Sequence, residues 1–382
     1  MLTLEPSIIS IILLSVLALF VVIQLIYHFS VFGRLIKKQP YELVEKKWEG
    51  VSIVIAARSE YDNLQKLIPA LLAQDYPNFE IIVVDDASWD GTTGYLEVLE
   101  KMSIEGKAII KAVYITDEMK KNYQGKKLAL SLGIKAATNE ILLFTDADCL
   151  PSSNSWIKHM VLPYHGNPET EIVLGYSPFN GGSSMINLFS RMDNLYTALS
   201  YFSYALGKDP YMGVGRNLSY KKSLFFKLKG FASHLHIAPG DDDLFIQDAA
   251  NSNNTAICIH PDAYMFTDAK SSFGKWFAQK KRHNFVGKYY KSAHRFKLGM
   301  FAFTHALLWL SFIANCFIYD SLGWALIIMG LYWTIKWPLI YLGFKKLQQA
   351  GKSAWMPLFD LLFVAYNFVF GIVTVFGKQK KW

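Results

Sequence analysis

Short apolar runs alternate with amphipathic stretches through the first half of this chain. Val51–Ala57, Phe79–Val84, Ala108–Ile115 and Glu140–Thr145 are strand-length runs of mostly apolar residues. Runs of this kind suit strands covered on both faces. Between them, Asp62–Ala73 puts Leu64, Leu67, Ile68 and Leu71 on one helical face. Asp90-Gly91-Thr92 reads as a turn and cap into a second helix, and Gly125–Ala137 as a third that opens with Lys126 and Lys127. This rhythm predicts an α/β, Rossmann-like unit with a mostly parallel sheet and right-handed crossovers. Beyond Pro151 the alternation weakens. Ile172–Tyr176 reads as a further strand. Met185–Leu206 reads as a helix, either packed on the sheet or lying in a membrane interface.

The two ends follow a different pattern. Ser7–Tyr27 carries no charge and is long enough to span a bilayer. A cleaved signal peptide fits less well, because Glu5 is the charge ahead of the run and no basic segment precedes it. Three more spans are expected at Gly299–Tyr319, Leu322–Phe344 (interrupted by Lys336-Trp337-Pro338) and Trp355–Phe376, with Trp309, Trp333, Trp337 and Trp355 as interfacial anchors. The expected organisation is an N-terminal span over residues 1–30, a basic linker over 31–49, a catalytic domain over 50–290 and a membrane region over 298–377. Arg34, Lys37, Lys38, Lys46 and Lys47 follow the first span, which places the middle of the chain on the cytoplasmic side. Lys345, Lys346 and Lys352 agree, but three further spans would leave Lys378-Gln-Lys-Lys381 outside. Either one stretch is re-entrant or interfacial, or the rule yields there.

Composition supports this division. The chain has 382 residues, 52% of them hydrophobic, with a net charge of +8. The basic residues gather beside the apolar ends, which favours a lipid surface over nucleic acid, and no nucleic-acid recognition motif is present. Cys149, Cys258 and Cys316 have no zinc-ligand spacing and read as free thiols.

The candidate chemistry lies where the strands end. Arg58-Ser59-Glu60, Asp85-Asp86 and Asp146-Ala147-Asp148 each follow an apolar run. Ligands of open α/β sheets bind at such carboxyl ends. Asp146 and Asp148 form either an acidic turn or a pair suited to Mg²⁺ with a substrate phosphate. Further along, Gly213-Val-Gly-Arg-Asn217 lacks the spacing of a dinucleotide or P-loop motif and reads either as tight turns or as a loop approaching a substrate, and His234 and His236 read as surface or packing residues. Asp241, Asp242 and Asp243 crowd three carboxylates together, which raises at least one pKa and suits a general base, or form a solvated acidic loop. Gln279, Arg282 and His283 share one helical face, which either touches lipid headgroups or holds a sugar or diphosphate.

In this order, the motifs at Val51–Glu60, Val83–Thr92, Lys126-Lys127, Asp146-Ala-Asp148, Gly240–Leu244 and Gln279–His283 resemble those of membrane-anchored family-2 glycosyltransferases. That group includes the cellulose, chitin and hyaluronan synthases and ceramide glucosyltransferase. The resemblance covers roughly residues 50–290. It implies a GT-A fold and inverting transfer from a nucleotide sugar, usually a UDP-sugar, to a lipid or glycan acceptor, in a bacterial inner membrane. It implies that Ala57, Arg58, Glu60, Asp85, Asp86, Lys126 or Lys127, Asp146, Gln279, Arg282 and His283 border the donor. Asp148, with Asp146, would hold Mg²⁺ or Mn²⁺. Counting back from Leu244 makes Asp241 the base; aligning on Gly-Asp-Asp gives Asp242. His283 stands where the family has Trp, and Gly240 where it often has Glu. A catalytically silent membrane scaffold, or a nucleotidyl- or phosphotransferase using the same rim, is the alternative.

Overall fold

The computed structural model describes residues 7–42, 47–101, 108–120 and 126–376; Glu5, Lys46, Gly125 and the tail Lys378–Lys381 lie outside them. The chain forms two compact units, one built from residues 39–289 and one from residues 1–38 and 290–377.

The first unit is a mixed sheet of seven strands. Its parallel half runs in the order β3 (Ala108–Ile115), β2 (Phe79–Asp86), β1 (Val51–Ala57) and β4 (Ile141–Asp146). The order reverses at β1, which makes the β1/β4 edge the switch point where a ligand crevice is expected. A two-stranded ribbon of β5 (Leu150–Pro151) and β9 (Met265–Phe266) lies apart. The sheet continues through β7 (Leu218–Lys221), antiparallel to β4, then β6 (Ile172–Leu174) and β8 (Thr255–Ile257). The four expected strands all form, each within a residue or two of its expected end.

Both faces of the sheet are covered. Val51, Ile53, Ile55, Ile81, Val83 and Leu143 pack against Leu64, Leu67, Ile68 and Leu71 of one helix and Trp156, Ile157 and Met160 of another, all buried. Each such side chain contributes roughly 1.5–3 kcal/mol by leaving water. On the other face the helix Lys127–Ala136 approaches so closely that a Cβ at Gly133 would lie 2.6 Å from Val54 Cγ1. Glu80, buried on β2, ties the strands together: it accepts from Ser52 Oγ (2.5 Å), Lys111 Nζ (2.6 Å) and Thr138 N (2.6 Å). The helix Met185–Leu206 has the expected bounds. It is buried through most of its length from Ser190 onward, as a core helix would be, while Met185 at its start is exposed.

Among the described residues, the second unit has four helical stretches long and apolar enough to cross a membrane: Ile8–Lys37, Ser292–Cys316, Tyr319–Lys346 and Ala350–Thr374. The first runs beyond the expected span, through a π-turn at His28–Phe32, into part of the expected linker. The interruption expected at Lys336-Trp337-Pro338 does not occur; Tyr319–Lys346 is one helix with Pro338 inside it. Lys336 is accommodated because its Nζ bonds Asp360 Oδ1 at 2.5 Å and Tyr332 Oη at 2.8 Å. Asp360 Oδ1 also lies 3.1 Å from His305 Nε2, and its Oδ2 accepts from Trp309 Nε1 at 3.1 Å. Trp309 and Trp333 thus line this cluster instead of anchoring the interface, with Trp333 placed under the Lys336 ammonium; Trp337 and Trp355 are exposed. Lys336, His305 and Asp360 stand eight to ten residues from Lys346, Arg295 and Lys352. At 1.5 Å per residue that is a depth of about 12–15 Å, half of a roughly 30 Å hydrocarbon core.

Removing one partner leaves a buried charge alone, which costs about 3–5 kcal/mol, whereas replacing both by apolar residues is often neutral. Lys336→Met and Asp360→Leu should therefore each lower the melting temperature of the detergent-solubilised chain, and the double variant should recover most of the loss. Single variants that melt with the wild type would show that the pair carries no weight.

Candidate active site

The parallel strands bring three polar ends to one rim. In register, Ala57 pairs with Asp85 and Ala56 with Asp146. The loops after β1 and β2 are stitched together. Ser59 N donates to Ser88 Oγ (2.8 Å), Glu60 N to Thr92 Oγ1 (3.1 Å) and Tyr61 N to Asp90 Oδ2 (3.2 Å). Ser59 and Ala87, neither of them glycine, hold φ of 56° and 50° at the two turns. Such strain persists where surrounding bonds over-determine the backbone.

This stitching engages one residue expected at the donor. Asp85 is buried, with Oδ1 accepting from Ser88 N (3.0 Å) and Oδ2 from Thr93 Oγ1 (2.5 Å). It builds the rim turn, and Asp86 beside it is half-exposed. Ala57 is buried and offers only its backbone, while Arg58 is exposed with its guanidinium 5.5 Å from the Trp89 ring centre.

β4 ends at Asp146, and Asp148 sits in the following turn, closed by Cys149 N donating to Asp146 O at 3.1 Å. The alternation of an extended strand therefore stops at Asp146, but both carboxylates still reach the rim. Asp146 pairs with Lys126, the two side chains 38% and 27% accessible. Burial pushes Asp146 upward, yet Lys126, Arg216 and Arg282 together hold it below the usual carboxylate range. Asp148 is exposed. Glu60 stands close enough to both to be raised, first by burial and then by Asp148 and Asp146.

The neighbouring lysine does something else. Lys127 is fully buried and its Nζ bonds the carbonyls of His234, Ile237 and Pro239, so it is not available to a donor nucleotide. Which of two adjacent lysines faces the rim depends on the helix start, where Lys126 is the cap and Lys127 the first turn.

The acidic cluster divides in the same way. Asp242 caps the helix Asp243–Ala249 through Oδ1 to Asp243 N (2.8 Å) and holds the glycine loop through Oδ2 to Gly215 N (2.9 Å). Asp243 is buried. Asp241 makes none of these bonds. It is raised to about 6, chiefly by burial, then by Asp242, against the pull of Lys126. Gly240 has φ +86°, and a Cβ there would lie 2.8 Å from Leu244 Cγ, so the glutamate usual in the family does not fit. His234 is buried and His236 exposed, as packing and surface residues.

The helix Phe273–Val286 carries Gln279, half-buried, with Arg282 and His283 exposed, and Lys280 pairs with Asp193 to tie it to the helix Met185–Leu206. Arg216 was not singled out from sequence, where it is one residue in a glycine turn. Its Nε donates to Ser177 Oγ (3.0 Å), its guanidinium lies 4.9 Å from the Phe179 ring centre, and it acts on Asp146 together with Arg282. A second unforeseen cluster joins His159, His260 and Asp262. The two rings stack 3.7 Å apart and nearly parallel, so their in-plane lone pairs do not converge on one ion.

The family model described as glycosyl transferase family 2 matches residues 52–227. Over 139 residues the chain is 32% identical to glycosyltransferase AglE of Haloferax volcanii, covering 35% of this chain and 42% of that protein. Over 170 residues it is 25% identical to a poly-β-1,6-N-acetyl-D-glucosamine synthase of Staphylococcus epidermidis, covering 43% and 39%. The match thus spans about two fifths of these relatives. Among solved structures, the mannosyltransferase PcManGT from Pyrobaculum calidifontis, in complex with GDP-Man and Mn²⁺, superposes with a TM-score of 0.58 at 18% identity, over 90% of this chain and 99% of that one. That likeness is one of fold. Residues 52–227 therefore form a glycosyltransferase family 2 domain with a GT-A-like mixed sheet, in a chain whose described residues include four helices long and apolar enough to cross a membrane.

Proposed function

We propose that this chain is an inverting, metal-dependent glycosyltransferase that moves a sugar from a nucleotide sugar to a hydroxyl of a membrane-associated lipid or polysaccharide. One observation carries the reading: Asp241 makes neither the capping nor the loop-holding bond of Asp242, is less buried than Asp243, and lies within electrostatic reach of the Lys126–Asp146 rim. Asp241 takes the proton of the acceptor hydroxyl as that oxygen attacks C1 of the donor sugar. The bond from C1 to the diphosphate breaks, and the nucleoside diphosphate leaves from the opposite face. A single displacement inverts C1.

Asp148 and Asp146 would hold Mg²⁺ or Mn²⁺. An all-oxygen set on an accessible rim, with Glu60 nearby, suits a hard cation that keeps sites for substrate phosphate. When bound, the ion neutralises charge on the departing diphosphate. Arg282 and Arg216 supply fixed positive charge beside it. Asp86, Arg58 and Glu60 border the nucleoside, and Gln279 and His283 border the donor from the helix that carries Arg282. Basic residues near the membrane-helix ends, Arg34, Lys37, Arg295, Lys297, Lys345 and Lys346, support a cytoplasmic catalytic unit in an inner membrane. Four spans among the described residues are few for a translocation channel, which supports a lipid-linked or other membrane acceptor, or an oligomer.

The test is nucleotide release by the detergent-solubilised chain with a panel of UDP- and GDP-sugars, Mn²⁺ or Mg²⁺, and a membrane lipid extract. We expect release from one donor and a lipid-extractable product. A panel in which every donor stays intact, with nucleotide still bound, would favour a silent scaffold.

A further inference from the structure

Lys127 is a lysine without a carboxylate partner among the described residues. Its side chain is fully buried, and its Nζ donates to His234 O at 2.8 Å, Ile237 O at 2.6 Å and Pro239 O at 3.2 Å. An ammonium has three donors and no acceptor, so these three bonds use it completely. Burying such a charge is costly, yet an apolar side chain of similar length would leave three carbonyls without this donor. What the lysine holds is therefore the segment that carries them.

All three carbonyls belong to one segment, which runs directly into Gly240, with φ +86°, and Asp241. From the cap position beside it, Lys126 reaches Asp146 on β4. Two consecutive lysines at one helix start thus hold the two halves of the site, the donor rim and the segment bearing the base.

We propose that Lys127 is a positioning residue that clamps the segment from His234 to Pro239, so that Asp241 is presented to the acceptor hydroxyl. This rests on the reading of Asp241 as the base. The charged and titratable groups that face Lys127 are Asp241 and Asp242 from the acidic loop, His234 from the clamped segment, and Lys126 on its own helix. Burial draws Lys127 down to about 8, against the pull of the two aspartates. As pH rises through that value the group keeps two donors for three carbonyls and loses its charge, so transfer falls on the alkaline side.

The experiment compares the full chain with Lys127→Met and Lys127→Gln, reading kcat, donor KM, the pH profile and amide hydrogen exchange over residues 234–242. For Lys127→Met we expect kcat to fall by about 10- to 100-fold, as for a base displaced by roughly an ångström. Donor KM should stay within about twofold, because the donor rim is held by Lys126. The alkaline limb near pH 8 should vanish. The acid limb should move to higher pH, since losing a nearby cation raises a carboxylate. Exchange at residues 240–242 should quicken. Lys127→Gln keeps donors without the charge; it should fold even where Met does not, keep more of the exchange protection, and still lose the alkaline limb. A variant with wild-type kcat and an intact alkaline limb, or one altered in KM alone, overturns the proposal. A wild type that turns over no donor overturns the functional reading instead, and unchanged exchange in Lys127→Met would then overturn the clamp independently.

Discussion

Asp241→Asn is expected to cut sugar transfer by about a thousandfold while nucleotide binding stays within a factor of about two, because a general base contributes roughly 10²–10⁴ and asparagine keeps the shape. The wild-type pH profile gives the same assignment from another side. Burial and then Asp242 raise Asp241 to about 6, and a base works only when ionised, so kcat/KM should fall tenfold per unit as pH drops below that value. The sign for stability is opposite to that of an ion-paired aspartate. Because the folded value lies above the unfolded one, the ionised carboxylate is a burden on the fold at neutral pH, relieved as pH falls. Asp241→Asn should therefore melt no lower than the wild type, which separates lost chemistry from lost structure. Asp242→Asn is the contrast, since Asp242 holds Gly215 N and caps a helix; a change there should lower the melting temperature. Equal activity of Asp241→Asn and the wild type would sink the assignment.

Asp148→Ala should remove metal-dependent release of nucleotide, by about 10³-fold if the ion supplies the several kcal/mol usual for charge neutralisation on a leaving phosphate. Chelation of the wild type should have the same effect, and titration of Mn²⁺ into the variant with nucleoside diphosphate should show weakened coupled binding. Asp146→Ala should behave differently, because it also frees Lys126 from its ion pair and so disturbs the rim itself. Full activity of the wild type in chelator would contradict the assigned metal role.

The parallel strands β1, β2 and β4 were legible because each is covered on both faces and so reads as an unbroken apolar run, while the edge strand β3 was legible by its apolar run although Ile109 and Tyr114 are exposed; their polar ends fell together because parallel strands end at one rim. The helix Met185–Leu206 was legible in extent, since its spacing is helical whichever surface it covers. What sequence left open was the direction of individual side chains. Lys126 and Lys127 have the same local pattern and opposite destinations, decided by where the helix begins. Asp241 and Asp242 are neighbours whose roles diverge because Gly215, distant in sequence, claims one of them. Arg216 drew no notice because a lone arginine in a glycine turn has no spacing to betray it. In the membrane unit, a lysine and a proline looked like a break, and only the partner on the next helix explains their presence inside one.

That partner also implies an order of events during synthesis. Lys336 enters the bilayer before Asp360 has been made. A lysine has a long stem that can lift its ammonium toward the headgroups while it waits. An aspartate has no such reach, and in this chain it arrives last, when the ammonium, the His305 imidazole and the Trp309 indole are already in place to receive it. The short acid never has to face lipid alone, so the sequence order of the two charges is itself part of how the membrane unit can be built.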